Sequence, residues 1–185
     1  MGADDAVHIC DPSLTKPGPF TSATVLAKAI QEEGFDIIFC GKQAIDDDMA
    51  QVQSILAEML GIPQVNVVAA FEISGNGEKA VLRRRVEGGD EKVEAQLPVL
   101  VSCEKGLNEP RYASLPGIMK AKKKEIRKKT LGDLGFSGVP AGGRSKILKW
   151  LPLPARGTCK MLEAEEIGDA AKELVRLLRE EAKVI

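Results

Sequence analysis

Apolar residues follow two rhythms along the chain, and the change between them divides it. Ala6–Cys10 (AVHIC) is a short apolar run that predicts a strand. Behind Thr21, a residue suited to cap a helix, Val25, Leu26, Ala29 and Ile30 recur at helical spacing until Gly34 stops them. Phe35–Cys40 (FDIIFC) is largely apolar, as strands buried on both faces of a parallel sheet are. A loop at Gly41–Ile45 then leads into a second helix with Met49, Val52, Ile55, Leu56, Met59 and Leu60 on one face, ended by Gly61 and Pro63. Strand, helix, strand, helix is the order of a doubly wound, mostly parallel α/β sheet of the Rossmann-like kind.

From Val65 the period shortens. Val65–Ile73, Lys79–Val86 and Lys92–Gln96 read as strands joined by turns at Ser74–Gly77 and Glu87–Asp90, the pattern of an antiparallel hairpin insertion. Pro98–Val101 returns to a buried strand. A helix is expected from Tyr112 to about Lys129, and its last ten residues, Lys120–Lys129, hold seven basic side chains against one Glu. Residues 131–160 carry Gly, Pro and short apolar clusters without a period, so an arm is expected there, closed by an amphipathic helix at Glu163–Val184 with Ile167, Ala171, Leu174, Val175 and Leu178 at helical spacing. The expected organisation is an α/β domain over 1–130 and a C-terminal arm with its helix over 131–185.

Composition narrows the function classes. Twenty-six basic residues against 27 acidic ones give a net charge of −1, which argues against a dedicated nucleic-acid binder, and 4% aromatics leave few stacking platforms. No apolar run approaches the roughly 20 residues of a membrane-spanning helix. The four cysteines are scattered and none forms a CxxC pair, so reduced thiols are expected, with neither a disulfide framework nor a zinc site. His8, the one histidine, lies in a strand-like run and reads as a packed residue.

Two loops carry candidate chemistry. The first is Gly41-Lys42-Gln43-Ala44-Ile45-Asp46-Asp47-Asp48-Met49-Ala50-Gln51-Val52, at the carboxyl end of a buried strand where open α/β sheets collect ligands. Gly41 allows a close turn, Lys42 adds positive charge, and a helix N-terminus offers free N–H groups to a phosphate. Ala50 and Gln51 suit close approach and hydrogen bonding. The three aspartates would repel a phosphate if all faced it, so capping and ribose contacts are assigned to them; a plain helix cap, or a Mg²⁺ site of a nucleotide-using enzyme, are the alternatives on residues alone. The second loop holds Asn108, Glu109, Pro110, Arg111 and Tyr112, then Leu115, Pro116, Ile118, Met119 and Lys120. A Leu on a proline-stiffened loop can anchor in another protein's pocket, whereas the plainer alternative packs Leu115, Ile118 and Met119 on the sheet.

The segments GKQAIDDD, EGGDEKVEAQLPVLV and LNEPRYASLPGIMKAKKK, in this order and spacing, resemble the beta subunits of electron-transfer flavoproteins from Met1 to about Leu134. The resemblance implies a non-enzymatic electron carrier in which bound FAD does the redox chemistry, partnered by an alpha subunit that supplies most contacts to that FAD. It implies that residues 41–52 are part of the site that holds the adenylate of a bound nucleotide, AMP or a second FAD, and that Asn108–Lys120 docks on acyl-CoA and related dehydrogenases of fatty acid oxidation with Leu115 as anchor. Electrons would pass on to a membrane quinone oxidoreductase or another acceptor. Such a carrier would be cytoplasmic in a bacterium and in the mitochondrial matrix of a eukaryote. The chain departs from the family pattern in three places. Met1-Gly2-Ala3-Asp4 resembles an internal position, so an upstream unit with the first nucleotide loop is expected to be missing; Ala50-Gln51-Val52 is more like the electron-bifurcating branch, whose beta subunit holds a second FAD; and Arg85 stands where many members carry an acidic residue.

Overall fold

A computed structural model describes residues 1–140, 148–155, 157, 159–163 and 166–185. The chain divides into two compact units, Met1–Lys146 and Ile147–Ile185. In the first, β1 (Ala6–Ile9), α1 (Pro19–Glu33), β2 (Ile37–Gly41) and α2 (Val52–Leu60) are followed by β3 (Gln64–Ser74), β4 (Lys79–Val86), β5 (Gly89–Gln96), β6 (Val99–Cys103), α3 (Leu115–Ala121) and β7 (Ile126–Lys129).

The architecture is α/β with a mixed sheet rather than a mostly parallel one. Five strands lie in the order β2-β6-β3-β4-β5, with β2–β6 and β6–β3 parallel and the β3-β4-β5 meander antiparallel. A bulge around Val67, whose φ of 62° is left-handed, marks where β3 leaves β6 and begins to follow β4. A separate parallel pair is formed by β1 and β7.

The five-stranded sheet has a different cover on each face. Ile38 and Leu100 meet Ala23, Ala27, Leu56 and Ala57 of α1 and α2, so both helices share one face instead of winding over both. The opposite face packs Val99 and Val101 with Val65, Val68, Ala80, Leu82 and Ala95 of the meander.

Several local expectations change. Thr21 does not cap α1: Gly18 is the cap and Pro19 opens the helix, where a missing N–H costs nothing, while Thr21 is buried and donates to the Pro140 carbonyl at 3.5 Å. Val25 and Ala29 pack against Leu131 and Leu134, so Leu26 is left partly exposed. Helix α2 begins at Val52, which leaves Met49 outside it. His8 is exposed, because the strand alternation turns Val7 and Ile9 the other way.

The basic stretch 120–129 is not a helix. Seven like charges in three turns would repel at i, i+4 spacing, and the chain breaks after Ala121 and re-forms as β7. There Arg127 makes a two-point pair with Glu33 (2.8 and 2.7 Å) and Lys129 pairs with Glu32 (2.5 Å), both at the end of α1. The pair holds the Glu33 carboxyl below the usual carboxylate range.

In the second unit the terminal helix is present as α4 (Ile167–Glu180), shorter than the expected Glu163–Val184, with Glu163 and residues 181–184 outside it. Arg176 bridges Glu173 and Glu180 at 2.7 and 2.8 Å on its polar side. Its inward residue is Leu177, while Ile167, Leu174 and Val175 stay exposed. Ala164 and Glu165, within the predicted start of that helix, lie outside the described residues, as does 141–147 of the expected arm.

Candidate functional site

A cavity of about 290 Å³ opens between the N-termini of α1 and α2, beyond the carboxyl end of β2. Pro17, Pro19 and Ser22 wall it on the α1 side. On the other side stand Gly41, Gln43, Ala44, Asp47, Met49, Ala50, Gln51, Val52 and Gln53. Neither helix carries an acidic residue in its first turn, so the positive ends of both dipoles meet no internal anion there.

Most of the 41–52 segment is therefore gathered around one pocket, but four members are not. Lys42, Ile45 and Asp48 line a neighbouring depression with Cys103, Glu104 and Lys105, shared with Gln43. Asp46 lines neither. Lys42 does not offer its charge to the pocket: its Nζ lies 2.9 Å from Glu104 Oε2. That contact, helped by the Lys105 N–H, holds the Glu104 carboxyl below its ordinary range.

The aspartates do not cap α2 either, since the helix starts downstream with Gln51 at its cap position. Asp47 Oδ1 accepts from the Met49 N–H at 3.2 Å, and Asp48 accepts from the Gln43 side chain. These local bonds shape the loop and use up acceptor capacity that would otherwise face an anion. Asp48 (φ 54°) and Ala50 (φ 50°) are both left-handed, a conformation that costs a non-glycine residue on the order of 1–3 kcal/mol and gathers where a loop has a task.

Gln53 is the residue that sequence reasoning missed. It is 5% exposed, and its Nε2 donates to the carbonyls of Lys42 and Ala50, both at 2.9 Å. One amide thus ties the first residue after Gly41 to the strained residue before the helix. The signal was present: Gln53 stands one turn before Leu56 and Ala57, a polar side chain on the face that the helix buries. The contribution of Pro17, Pro19 and Ser22 had no comparable signal, because only packing brings the β1–α1 loop here.

Cys40 and Cys103 are half-buried free thiols, and burial pushes both up from the usual thiol range.

The second loop lies apart from this pocket. Ser114 caps α3 by accepting from the Gly117 N–H at 3.2 Å, and Pro116 sits in its first turn. The short helix does not lie on the sheet by its apolar face: Leu115 is 73% exposed, and Ile118, Met119 and Tyr112 are exposed as well. Asn108, Glu109, Pro110 and Arg111 precede it as exposed irregular chain, and Lys120 closes its last turn. Among the described residues Lys120, Lys122, Lys123 and Lys128 have no ion pair, whereas Lys124 pairs with Asp4 at 3.6 Å.

Together these features define an α/β domain with a pocket at the carboxyl edge of its parallel strands and a separate exposed apolar loop. Residues 1–134 match the electron transfer flavoprotein domain. The whole chain is 43% identical over 186 residues to the electron transfer flavoprotein subunit beta of Bacillus subtilis, spanning 71% of that protein. It is 44% identical over 180 residues to the Mus musculus subunit beta, with 96% of this chain and 69% of the mouse protein aligned. Against the subunit beta of Bradyrhizobium diazoefficiens identity is 38% over 185 residues, the whole of this chain and 69% of that one. The chain belongs to the electron transfer flavoprotein family, as a beta subunit, and is an electron carrier component.

Proposed function

We propose that this chain holds a nucleotide in the pocket between α1 and α2 and works in a heterodimer with an alpha subunit. The heterodimer takes electrons from acyl-CoA and related dehydrogenases and passes them to a membrane quinone oxidoreductase or another acceptor. FAD shared with the alpha subunit supplies the redox chemistry; the residues of this chain bind and orient. The observation that carries the reading is the convergence of two helix N-termini, neither with an acidic first turn, on one pocket. A phosphate there would receive backbone N–H groups and both dipoles, with Asp47, whose Oδ1 already accepts from the Met49 N–H, the one carboxylate in the lining.

AMP is the proposed occupant and a second FAD the alternative. The cavity of about 290 Å³ is just under the roughly 300–1,000 Å³ of ligand pockets and open on one side, a scale that suits a mononucleotide. The test is to co-express the chain with an alpha subunit, purify the complex and quantify the nucleotides released from it by chromatography. One FAD and one AMP per heterodimer is the expected result. Two FAD would assign the chain to the bifurcating branch, and absence of any nucleotide beyond the shared FAD would refute the pocket assignment.

The exposed Asn108–Lys120 segment is the proposed dehydrogenase-docking surface, with Leu115 as its anchor. Leu115→Ala is expected to slow electron transfer from a partner dehydrogenase at least tenfold. Flavin content and melting temperature should stay unchanged, because a side chain so exposed contributes little to folding. Loss of flavin with unaltered docking would place Leu115 in the structure and not at an interface.

A further inference from the structure

Two loops leave the carboxyl edge of the parallel strands side by side. Gly41 of β2 and Cys103 of β6 are register partners, so Lys42 and Glu104 are the first residues beyond the sheet on neighbouring strands. Lys42 Nζ lies 2.9 Å from Glu104 Oε2, and the carboxylate is the more enclosed partner, its side chain 18% exposed against 39% for the lysine. Gln43 lines both the pocket between α1 and α2 and the depression of about 370 Å³ in which this pair sits.

Each partner has further attachments, and they lead in opposite directions. On the lysine side, the Lys42 carbonyl accepts from Gln53 Nε2 at 2.9 Å, and the same amide holds Ala50 in the pocket wall. On the glutamate side, the Glu104 N–H donates to the Val68 carbonyl at 2.9 Å, and the Glu104 carbonyl accepts from the Leu107 N–H at 3.2 Å. Leu107 packs against the core cluster of the meander. The resulting turn at 104–107 is one root of the docking segment. From Asn108 to Ala113 the chain is exposed, and among the described residues its one hydrogen bond beyond itself runs from Arg111 to the Met1 carbonyl at 3.4 Å. The presentation of Leu115 is therefore set from two ends, this turn and β7.

Glu104 has a second cation at hand. Arg83 and Arg84 of β4 pair with Asp90 and Glu91, whereas Arg85 beside them has no ion pair among the described residues. Its positive charge adds to the Lys42 contact and the Lys105 N–H in holding the Glu104 carboxyl below its ordinary range. Two arrangements are thus open to the carboxylate: paired with Lys42, as here, or turned toward Arg85.

We propose that Glu104 is a positioning residue through which nucleotide binding strengthens dehydrogenase docking. With nucleotide in the pocket, the 41–52 loop holds Lys42 against Glu104 and fixes the 104–107 turn. With the pocket empty, the carboxylate is shared with Arg85 and the turn loosens. Such coupling is reciprocal: what nucleotide does for docking, docking does for nucleotide. A solvent-screened ion pair limits it to about fivefold. This role rests on both readings given under the proposed function, nucleotide in the pocket and docking by Asn108–Lys120.

The test uses the heterodimer with an alpha subunit and an acyl-CoA dehydrogenase that reduces it. Equilibrium dialysis of labelled AMP gives its Kd with and without saturating dehydrogenase. The dehydrogenase should lower that Kd about threefold to fivefold. In Glu104→Gln the two Kd values should become equal, and likewise in Lys42→Met. The double variant should show no further change, as expected of two residues acting through one contact. AMP should also slow amide exchange at Glu104 and Leu107 about threefold or more, with the β5 amides unchanged. If one variant fails to fold, the other carries the comparison. Equal Kd values in the parent, or a difference kept in both single variants, would overturn the proposal. A heterodimer that binds no AMP would remove the pocket reading and this role with it, and Leu115→Ala without effect on electron transfer would do the same through the docking reading. Bound AMP and an effective Leu115→Ala, with no coupling between them, would remove this role alone.

Discussion

Replacing Gln53 by Leu is expected to lower nucleotide occupancy of the heterodimer at least tenfold and to destabilise the first unit by about 1–3 kcal/mol. The side chain is of similar size, so packing around it is nearly kept. What disappears is the Nε2 group that donates to the Lys42 and Ala50 carbonyls at 2.9 Å each. Both acceptors would then face an apolar group in a buried place, and an unmet buried acceptor costs more than a typical hydrogen bond contributes. The left-handed turn at Asp48 and Ala50 would have less to hold it, and the pocket wall at Ala50–Val52 would relax with it. Lys42→Ala is the informative comparison. Its ion pair with Glu104 involves a lysine side chain that is 39% exposed, and solvent-screened pairs of that kind are worth at most about 1 kcal/mol. A larger loss of nucleotide from Lys42→Ala than from Gln53→Leu would reverse the assignment and return the phosphate-binding role to the lysine.

Leu100→Ala should produce the largest loss of stability. Leu100 is fully buried in β6, the strand between β2 and β3, and projects onto the face covered by α1 and α2. Its closest company includes Ala23, Ala27 and Ala57, whose short side chains cannot swing into a vacated space. The cavity would persist, which places the cost toward the upper part of the about 2–5 kcal/mol known for such truncations. Against the roughly 5–15 kcal/mol that holds a typical domain together, that is a large share. Urea unfolding should show a lower midpoint at unchanged slope, because the same surface is exposed on unfolding. A midpoint within experimental error of the parent would mean that the helices do not depend on this face of the sheet.

The largest error of sequence reading was at the basic segment. Residues 120–129 have enough helix formers to continue a helix, and local spacing offers no reason to stop after Ala121. The decision is made elsewhere: Arg127 and Lys129 find Glu33 and Glu32 on α1, and Ala6–Ile9 offers a backbone to pair with. Neither partner is visible in a window of ten residues. The loop at 41–52 shows the same division. Its position after a buried strand was legible, and so was the candidate ligand edge. Which of its side chains face the pocket was not, because Lys42 is claimed by Glu104 from β6's far end and the aspartates are spent on the loop's own backbone and side chains.

The sequence alone determined the order of strands and helices as far as β6, the hairpins β3-β4-β5 with their turns, the end of α2 at Gly61 and the terminal amphipathic helix. It also carried the motifs that mark the family. These depend on side-chain period and on residues such as Gly61, whose left-handed φ of 65° suits glycine at a helix end. Tertiary structure decided that β1 pairs with β7 and not with β2, that both helices lie on one face, and that Gln53 ties the candidate site together. The physical reason is the range of the interactions. Period and turn chemistry act within a few residues, whereas strand partners and ion pairs join residues dozens to over a hundred positions apart, and even Gln53 reaches back 11 positions to Lys42, where only the folded chain brings them within reach.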